Sequence, residues 1–175
     1  MGAMILTTAR LVLRPMVRDD AAALFAILGD AEAMAYWARP ALPRLATMEA
    51  QIEDELAGMA ARSFFCWTAL AAGTAIGSID LKPSANDEAW IGFAFRREYW
   101  GQGLAREGVA AVLDHGFAPM ALSRIAARVQ AGNARAIQLL EHLNFQPRGR
   151  AADIMRDGES RPCLRYELRA SGPAD

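Results

Sequence analysis

A predicted strand, a glycine-rich turn and a predicted helix follow one another without a break between residues 91 and 109, and this order constrains the fold more than any other feature. Apolar residues alternate with smaller ones over 91–95, which predicts a half-buried strand. The glycine turn at 101–103 then precedes apolar residues at helical spacing, so we expect a helix over 103–118. Such a helix directs unpaired backbone N–H groups and its positive dipole end toward the turn. The run therefore predicts a cradle for a phosphate or a pyrophosphate.

The turn matches neither of two common nucleotide motifs. The chain has no GxxxxGK[ST] sequence, and Arg106 stands where GxGxxG requires its third glycine. Glycine at 101 and 103 still has a physical reason, because a side chain there would hold a phosphate away from the backbone and because the turn is expected to need positive φ. A tight strand-to-helix connection without a ligand is the alternative interpretation.

A second motif begins at Asn133 and ends at Phe145, after a strand predicted over 123–130. Together with the glycine turn, it resembles the GNAT superfamily of N-acetyltransferases, whose acetyl-coenzyme A loop reads [Q/R]-x-x-G-x-[G/A]. Residues 100–105 read W-G-Q-G-L-A, so Trp100 replaces Gln or Arg. The stretch YWGQGLARE is similar to the ribosomal-protein-alanine N-terminal acetyltransferase branch, in which YWGxGxAxE is usual.

The second motif of that branch, N-x-x-[SA]-I-x-x-[LY]-E-x-x-G-F, has Asn144 here in place of its glycine. The matching positions are Asn133, Ala136, Ile137, Leu140, Glu141 and Phe145. After glycine, Asn best adopts the left-handed conformation that ends a helix, so the departure is mild. The resemblance spans nearly the whole chain.

The resemblance implies a mixed α/β (α+β) fold, with a central, mostly antiparallel sheet of about six to seven strands, flanking helices and a parallel pair splayed at the acetyl-coenzyme A site. The pattern agrees, because a strand that follows a crossover helix needs a parallel partner. Other predicted elements are helices capped by Asp19 or Asp20 and by Thr47, strands over 64–70, 75–81 and 89–95, a helix over 134–143, and a final pair of strands around Asp157-Gly158. We expect one domain over 1–175, with its core over 8–170 and a cloning remnant at 1–3.

Composition narrows the classes of function. A net charge of -1 over 175 residues gives no reason to expect a nucleic acid or an anionic membrane as partner. No stretch approaches the roughly 18 apolar residues of a membrane span. Cys66 and Cys163 have neither zinc-ligand nor CxxC spacing, so we expect reduced thiols, no metal and a cytoplasmic protein.

The resemblance also assigns an acetyl-coenzyme A site. The glycine turn is expected to bind the pyrophosphate, and the backbone edge of the preceding strand is expected to bind the pantetheine amides. Two arginines are expected to bind the phosphates. The assigned residues are Phe93, Ala94, Phe95, Gly101, Gln102, Gly103, Leu104, Ala105, Arg106, Asn133, Arg135, Ala136 and Leu140. A solvated surface position is the alternative for Arg106 and Arg135. Glu107 resembles a family-typical glutamate and is expected to pack or to cap.

Catalysis needs a base for the amine and an acid for the leaving thiolate. Candidate bases are Glu88, just before the strand over 89–95, and Asp80, near the end of the strand over 75–81. Asn133 is expected near the thioester and as a helix cap. Many family members carry the acid as Ser or Tyr where this chain has Ala136 and Leu140. The remaining proton sources are solvent, Tyr36, Tyr99 or no dedicated acid.

The first half of the chain is expected to form the acceptor site. Its candidates are Tyr36, Trp37 and Arg39 in a proline-rich stretch, and Trp90 on a strand. Aromatic side chains suit a cleft for a peptide or a small amine, although a core position is the alternative for Trp90 and for Trp67. An acidic cluster on the second helix either attracts a cationic amine or forms a solvated face; it comprises Glu49, Glu53, Asp54 and Glu55.

Three functions remain open from the sequence. The first is acetyl-coenzyme A-dependent acetylation of a protein or peptide N-terminus, with coenzyme A as product, as the branch resemblance implies. The second is the same chemistry on a small amine such as an amino acid, a polyamine or a drug. The third is non-catalytic binding of acyl-coenzyme A, because Ala136 and Leu140 stand where acids are expected. A monomer or a homodimer is expected.

Overall fold

The computed structural model describes residues 4–156 and 158–170, and the side chains among them outside 153–156. The elements, in chain order, are β1 (Leu6–Thr7), β2 (Val12–Pro15), α1 (Ala21–Leu28), α2 (Leu45–Ala60), β3 (Phe65–Ala71), β4 (Thr74–Ser84), β5 (Glu88–Phe95), α3 (Leu104–Phe117), β6 (Arg124–Gln130), α4 (Ala134–His142), β7 (Gln146–Arg156) and β8 (Glu159–Arg169). Short 3-10 turns, Arg18–Asp20 and Arg97–Tyr99, precede α1 and the glycine turn.

The strands of this part of the chain form one eight-stranded sheet in the order β1-β2-β3-β4-β5-β6-β8-β7. Every neighbouring pair is antiparallel except β5 and β6, which are parallel. This confirms the predicted mixed, mostly antiparallel sheet with flanking helices. The sheet has one strand more than the six to seven that were predicted. The additional strand is β1, whose two residues are too few to show an alternating pattern in the sequence.

The sheet buries apolar side chains on both faces. On one face, strand residues such as Ile79 pack against α3 and α4, and on the other face α1 and α2 contribute buried residues such as Leu24 and Ile52. Trp67 is fully buried, and its indole N–H donates to the Met4 carbonyl at 2.8 Å. The core alternative for Trp67 is therefore correct. Each fully buried aliphatic side chain stabilises the fold by about 1.5–3 kcal/mol.

Both predicted caps near the first two helices need correction. Asp20 does not cap α1 with its side chain; instead, its carboxylate accepts the Val17 N–H at 2.9 Å and pairs with Arg14 at 2.6 Å. Burial acts to raise the pKa of Asp20, but the Arg14 contact and the hydrogen bonds from Val17 and Thr68 lower it. Helix α2 begins at Leu45, so Thr47 lies inside its first turn rather than at the cap.

The predicted ends of α4 are confirmed. The Asn133 side chain accepts the Ala136 N–H at 3.2 Å, which caps the start of the helix. Asn144 has a φ of 63°, so it adopts the left-handed conformation expected of a residue in place of glycine. The Phe145 N–H then donates to the Leu140 carbonyl at 3.0 Å.

The side chains of Cys66 and Cys163 are both buried. Asp157 of the final predicted turn lies outside the described residues, whereas Gly158 has the positive φ of 82° that suits a turn. Among the helices that the structure describes, none has the length and apolar character needed to cross a membrane.

Candidate functional site

A cleft opens where β5 and β6 separate. The two strands pair over only three positions, Glu88–Trp90 against Arg124–Ala126. Beyond them, β5 stays on β4 as far as Phe95 and β6 stays on β8 as far as Gln130, so the strands diverge. The resulting cleft has a volume of about 710 Å³. Predicted substrate residues (Tyr36, Trp37 and Trp90) and predicted cofactor residues (Phe93, Asn133, Ala136 and Leu140) line it.

The open edge of β5 offers backbone groups to a ligand. Because the Arg96 N–H donates to the Ile76 carbonyl at 2.8 Å, alternate residues of β5 bond to β4, and the backbone groups of Phe93 and Phe95 face the side on which β6 diverges. The Trp100 indole N–H donates to the Phe95 carbonyl at 2.8 Å and so occupies it. The Phe93 N–H and carbonyl remain available beside the cleft. The side chains of Ala94 and Phe95 are buried in the cores.

The glycine turn has the geometry of an anion cradle. Gly101 and Gly103 have φ values of 74° and 75°, which confirms the expected need for glycine. In the described part of the chain, no backbone N–H over 101–106 donates to the protein, and the Glu107 N–H makes the first bond of the helix, to the Gly103 carbonyl at 3.0 Å. A Cβ at Gly101 would meet no atom within 4 Å. Free donors and open space therefore suit a bound phosphate.

Glu107 anchors this turn to the start of the sheet. Its carboxylate accepts the Thr8 hydroxyl at 2.6 Å, the Arg10 N–H at 2.8 Å and the Arg10 guanidinium at 2.7 Å. Arg10 also donates to the Gln102 carbonyl at 2.8 Å. The Thr8 hydroxyl and then Arg10 lower the pKa of Glu107. Glu107 therefore has a structural role, because its contacts with Thr8 and Arg10 hold the glycine turn in place.

Trp100 holds a cation beside the turn, although it stands where the family pattern has Gln or Arg. The Arg135 guanidinium lies over the Trp100 ring, 4.8 Å from its centroid. Arg106 is exposed on the first turn of α3, and no hydrogen bond or ion pair holds it within the described residues. Both arginines can therefore reach a phosphate without first breaking a salt bridge.

The wall formed by β6 and α4 is mostly apolar. Asn133 lines the cleft as well as capping α4, while Ala136 and Leu140 bring no acidic group to it. Gln130 is a polar exception that the sequence analysis missed. It is buried at 3% exposure, and its Nε2 finds no acceptor among the described residues. An unsatisfied buried donor on a cleft wall is a candidate contact for a ligand carbonyl.

Asp80 lies behind the opposite wall. It is paired in register with Gly92, which lines the cleft, and its Oδ1 lies only 2.6 Å from the position that a Cβ on Gly92 would take. The carboxylate therefore fills the space left by the missing side chain. Burial, reinforced by Glu55, raises the pKa of Asp80 to about 7, and Lys82 opposes this effect. A carboxyl group with this pKa can accept a proton near neutral pH.

Glu88, the other predicted base, is engaged at the closed end of the cleft. It lies on the first pair of β5 with β6, and its carboxylate forms a short ion pair with Arg124. Arg124 also contacts Glu167 at 2.8 Å. Glu88 is not among the residues that line the cleft. Asp80 does not line the cleft either, but its carboxylate lies against Gly92, which does.

Three of the four acceptor candidates line the cleft: Tyr36, Trp37 and Trp90. Tyr36 is 43% exposed, and its ring lies 3.3 Å from the position of a Cβ on Gly132, just before Asn133. Trp90 is 38% exposed, so the core alternative is wrong for this residue. Arg39 does not line the cleft; it lies 5.9 Å from the Trp37 ring centroid and donates to Gln51 in a short hydrogen bond.

The acidic cluster on α2 does not act as one surface. Glu53 pairs with Arg18 at 2.7 Å. Glu55 turns inward, where it accepts from Gln51 at 2.6 Å and where burial raises its pKa. Glu49 and Asp54 remain exposed.

Four charged or polar residues of the cleft lining escaped the sequence analysis: Lys82, Ser84, Arg128 and Gln130. Each lies on a strand at a position that could face either side of the sheet, and only the register shows that these side chains reach the opening. Arg10 was missed because its partners, Gln102 and Glu107, are far away in the sequence. Tyr99 packs against the core and does not line the cleft.

Comparison with known proteins agrees with this geometry. The family model of the acetyltransferase (GNAT) domain matches residues 10–146. The uncharacterized N-acetyltransferase YoaA of Bacillus subtilis is 30% identical over 149 residues, which cover 83% of this chain and 84% of YoaA. The uncharacterized N-acetyltransferase p20 of Bacillus licheniformis is 40% identical over 74 residues, which cover 42% of this chain and only 39% of p20.

Solved structures show the same fold at low identity. RimJ of Mycobacterium smegmatis, in complex with CoA-disulfide, has a TM-score of 0.86 and 22% identity, covering 97% of this chain and 90% of that one. Spermidine N-acetyltransferase of Vibrio cholerae, in complex with CoA and spermine, has a TM-score of 0.82 and 20% identity, covering 93% and 96%. The ribosomal L7/L12 alpha-N-protein acetyltransferase RimL has a TM-score of 0.83 and 13% identity, covering 95% of this chain and 98% of that one. Its name and that of the spermidine enzyme state different acceptors, so the solved structures leave the acceptor type open. From its matching domain, its relatives and its splayed sheet, this chain belongs to the GNAT acetyltransferase family and is an acetyl-coenzyme A-dependent acyltransferase.

Proposed function

We propose that the protein acetylates the N-terminal amine of a protein or peptide. The observation that supports this most is the cleft of about 710 Å³ between the diverging strands, with the exposed rings of Tyr36 and Trp90 on its wall. A groove that opens at the surface beside a strand edge suits an extended chain that enters with its amine first.

The residues around the glycine turn fit coenzyme A. The free backbone N–H groups over 101–106 bind the pyrophosphate, and Arg106 and Arg135 bind phosphate oxygens. The Phe93 backbone binds amides of the pantetheine arm. When bound, acetyl-coenzyme A supplies the acetyl group as a thioester.

Asp80 takes the proton of the acceptor amine, directly or through one water. Its carboxylate fills the space behind Gly92 on the cleft wall, and its pKa of about 7 leaves a large ionised fraction at neutral pH. Glu88 serves this role less well because its carboxylate is already engaged in an ion pair with Arg124.

Tyr36 donates a proton to the leaving thiolate or positions the water that does so. It lies on the cleft and packs beside Gly132, next to Asn133, where the second motif begins. The two positions that carry acids in other family members are apolar here, and Tyr99 lies away from the cleft. General acid catalysis contributes roughly 10²- to 10⁴-fold, so a solvent-assisted step would be slower but feasible.

A panel of acceptors tests the proposed function. Purified protein and acetyl-coenzyme A are incubated separately with short peptides bearing free or blocked N-termini, with spermidine, and with free amino acids, and products are identified by mass spectrometry. We expect acetylation at the peptide N-terminus, lost when that amine is blocked. A higher kcat/KM for spermidine or an amino acid would replace the proposal with small-amine acetylation. Binding of acetyl-coenzyme A without transfer to any amine would support the non-catalytic alternative.

A further inference from the structure

We propose that the acceptor carries acidic residues close behind its N-terminal amine, and that an arginine-rich face of the sheet binds them. This inference rests on the proposed function and narrows its substrate class. The arginine face consists of Arg124, Arg128, Arg148, Arg165 and Arg169.

Strand register places these residues on one face. Arg124 and Arg128 of β6 lie opposite Arg169 and Arg165 of β8, and directly opposed residues of an antiparallel pair share a face. Arg148 of β7 joins them because it contacts Glu167, which lies between Arg165 and Arg169 on the same side of β8. This part of the face extends beyond the strands that α1 and α2 cover.

The face has more positive than negative charge. Glu167 is 5% exposed, and four arginines approach it, at 2.8, 3.3, 2.5 and 3.9 Å. These are Arg124, Arg148, Arg165 and Arg169. One carboxylate cannot neutralise four guanidinium groups, and Glu88 adds a second carboxylate only at Arg124. Arg128 is exposed and has no carboxylate partner among the described side chains.

The arginine face continues into the cleft. Arg128 lines the opening together with Lys82, which is exposed and likewise lacks an ion pair within the described residues. The Arg165 guanidinium lies 5.6 Å from the centroid of Trp90, also on the wall. An extended peptide rises about 3.3 Å per residue, so side chains a few residues behind an amine in the cleft can reach these cations. Carboxylates are the matching partners, because a guanidinium binds them in bidentate fashion.

An acidic peptide fits this surface better than a nucleic acid does. The chain as a whole has a net charge of -1, and Glu88 lies within the positive surface, where it would repel a continuous phosphate backbone. Trp90 is the one aromatic ring that contacts the arginine face in the described structure, whereas single-stranded nucleic acids are bound on several stacking platforms. Discrete carboxylates can instead be spaced to meet Arg128 and Arg165.

The experiment compares matched peptides with Asp, Asn or Lys at the second to fourth residues, using wild type and the Arg128→Gln variant. Arg128 is chosen because it has no ion pair to lose, so the variant is expected to fold normally. Arg62→Gln, which changes an exposed arginine on the turn after α2, is the matched control. We expect the Asp peptide to have the highest kcat/KM in wild type, and Arg128→Gln to reduce that preference by up to about fivefold, mainly through KM. The preference should also shrink as salt is raised.

Several outcomes would overturn this inference while leaving the proposed function intact. Equal kcat/KM for the Asp and Asn peptides is one, and an unchanged preference in Arg128→Gln is another. A raised KM for acetyl-coenzyme A in that variant, with an unaltered peptide preference, would show that Arg128 binds the cofactor rather than the peptide. Competitive inhibition by a short RNA without any preference for acidic peptides would assign the face to nucleic acid. If no peptide is acetylated at all, the proposed function itself fails.

Discussion

Replacing Asp80 by Asn is expected to stabilise the protein and to inactivate it at the same time. Below the unfolded pKa of 3.8, the carboxyl group is protonated in both states and has no effect on the free energy of unfolding. Between 3.8 and about 7, the unfolded chain ionises first, so stability is lost with rising pH by about 1.4 kcal/mol per unit. Above the folded pKa the loss is constant and reaches at most about 4 kcal/mol.

Asn keeps the shape of Asp80 but removes this penalty. The net gain in the free energy of unfolding is expected to be about half of this 4 kcal/mol maximum, because burying the amide of Asn has its own cost in unmade hydrogen bonds. For a domain of this length, a gain of about 2 kcal/mol corresponds to a rise in Tm of roughly 4 to 8 °C. The rise should be seen at pH 8 and should vanish near pH 4.

Thermal unfolding from pH 4 to pH 8 and initial rates over the same range check this prediction. The kcat/KM of the wild type should decrease as the pH falls through about 7. The kcat/KM of Asp80→Asn should not show this decrease and should be lower than that of the wild type by roughly 10²- to 10⁴-fold. Asp114→Asn, which changes an exposed carboxylate on α3, is the control and should alter neither property. A variant that is active with an unchanged pH profile would remove Asp80 from catalysis, and an unchanged difference in Tm across the pH range would contradict the raised pKa.

Two further substitutions probe the support of the glycine turn. Glu107→Gln should lower Tm by a few degrees and raise the Kd for acetyl-coenzyme A, because it breaks the ion pair through which Arg10 holds the turn; calorimetry that finds wild-type affinity would contradict this role. Trp100→Phe should weaken acetyl-coenzyme A binding severalfold, since it removes the hydrogen bond to the Phe95 carbonyl and weakens the stack with Arg135. Arg135→Gln in the Trp100→Phe background should then add little, and a full additional loss would show that the two residues act independently.

The fold and the backbone geometry of the glycine turn could be predicted because their signals are local. Alternation over 91–95, the glycine turn and the Asn133 cap each depend on residues close together in the chain. The structure confirms the strand, the turn and the cap, including the positive φ of Gly101 and Gly103. The strand is covered on both faces at its end rather than half-buried, because Ala94 and Phe95 are both buried. The same locality made the end of α4 predictable at Asn144.

The acceptor half could not be predicted in the same way, because it depends on strand register and on loops that meet across the sheet. Trp67 and Trp90 look alike in the sequence, yet one is buried in the core and the other is exposed on the cleft. The choice between Glu88 and Asp80 also depends on distant partners, since Arg124 engages the first and Gly92 makes room for the second. Asp20 failed as a cap for a similar reason: Arg14 and Thr68 recruit its carboxylate.

The cradle at the glycine turn is tested most directly by a calorimetric titration of acetyl-coenzyme A into wild type, Gly101→Ala and Gly73→Ala. Gly101 and Gly73 have similar positive φ values, 74° and 81°, and a Cβ at either position would meet no atom within 4 Å, so the two variants carry the same backbone strain. Only Gly101 lies where the pyrophosphate is expected. The account predicts one binding site in wild type, the same affinity in Gly73→Ala, and at least about a tenfold loss in Gly101→Ala with a similar small drop in Tm for both variants. Equal affinity in all three proteins would contradict it.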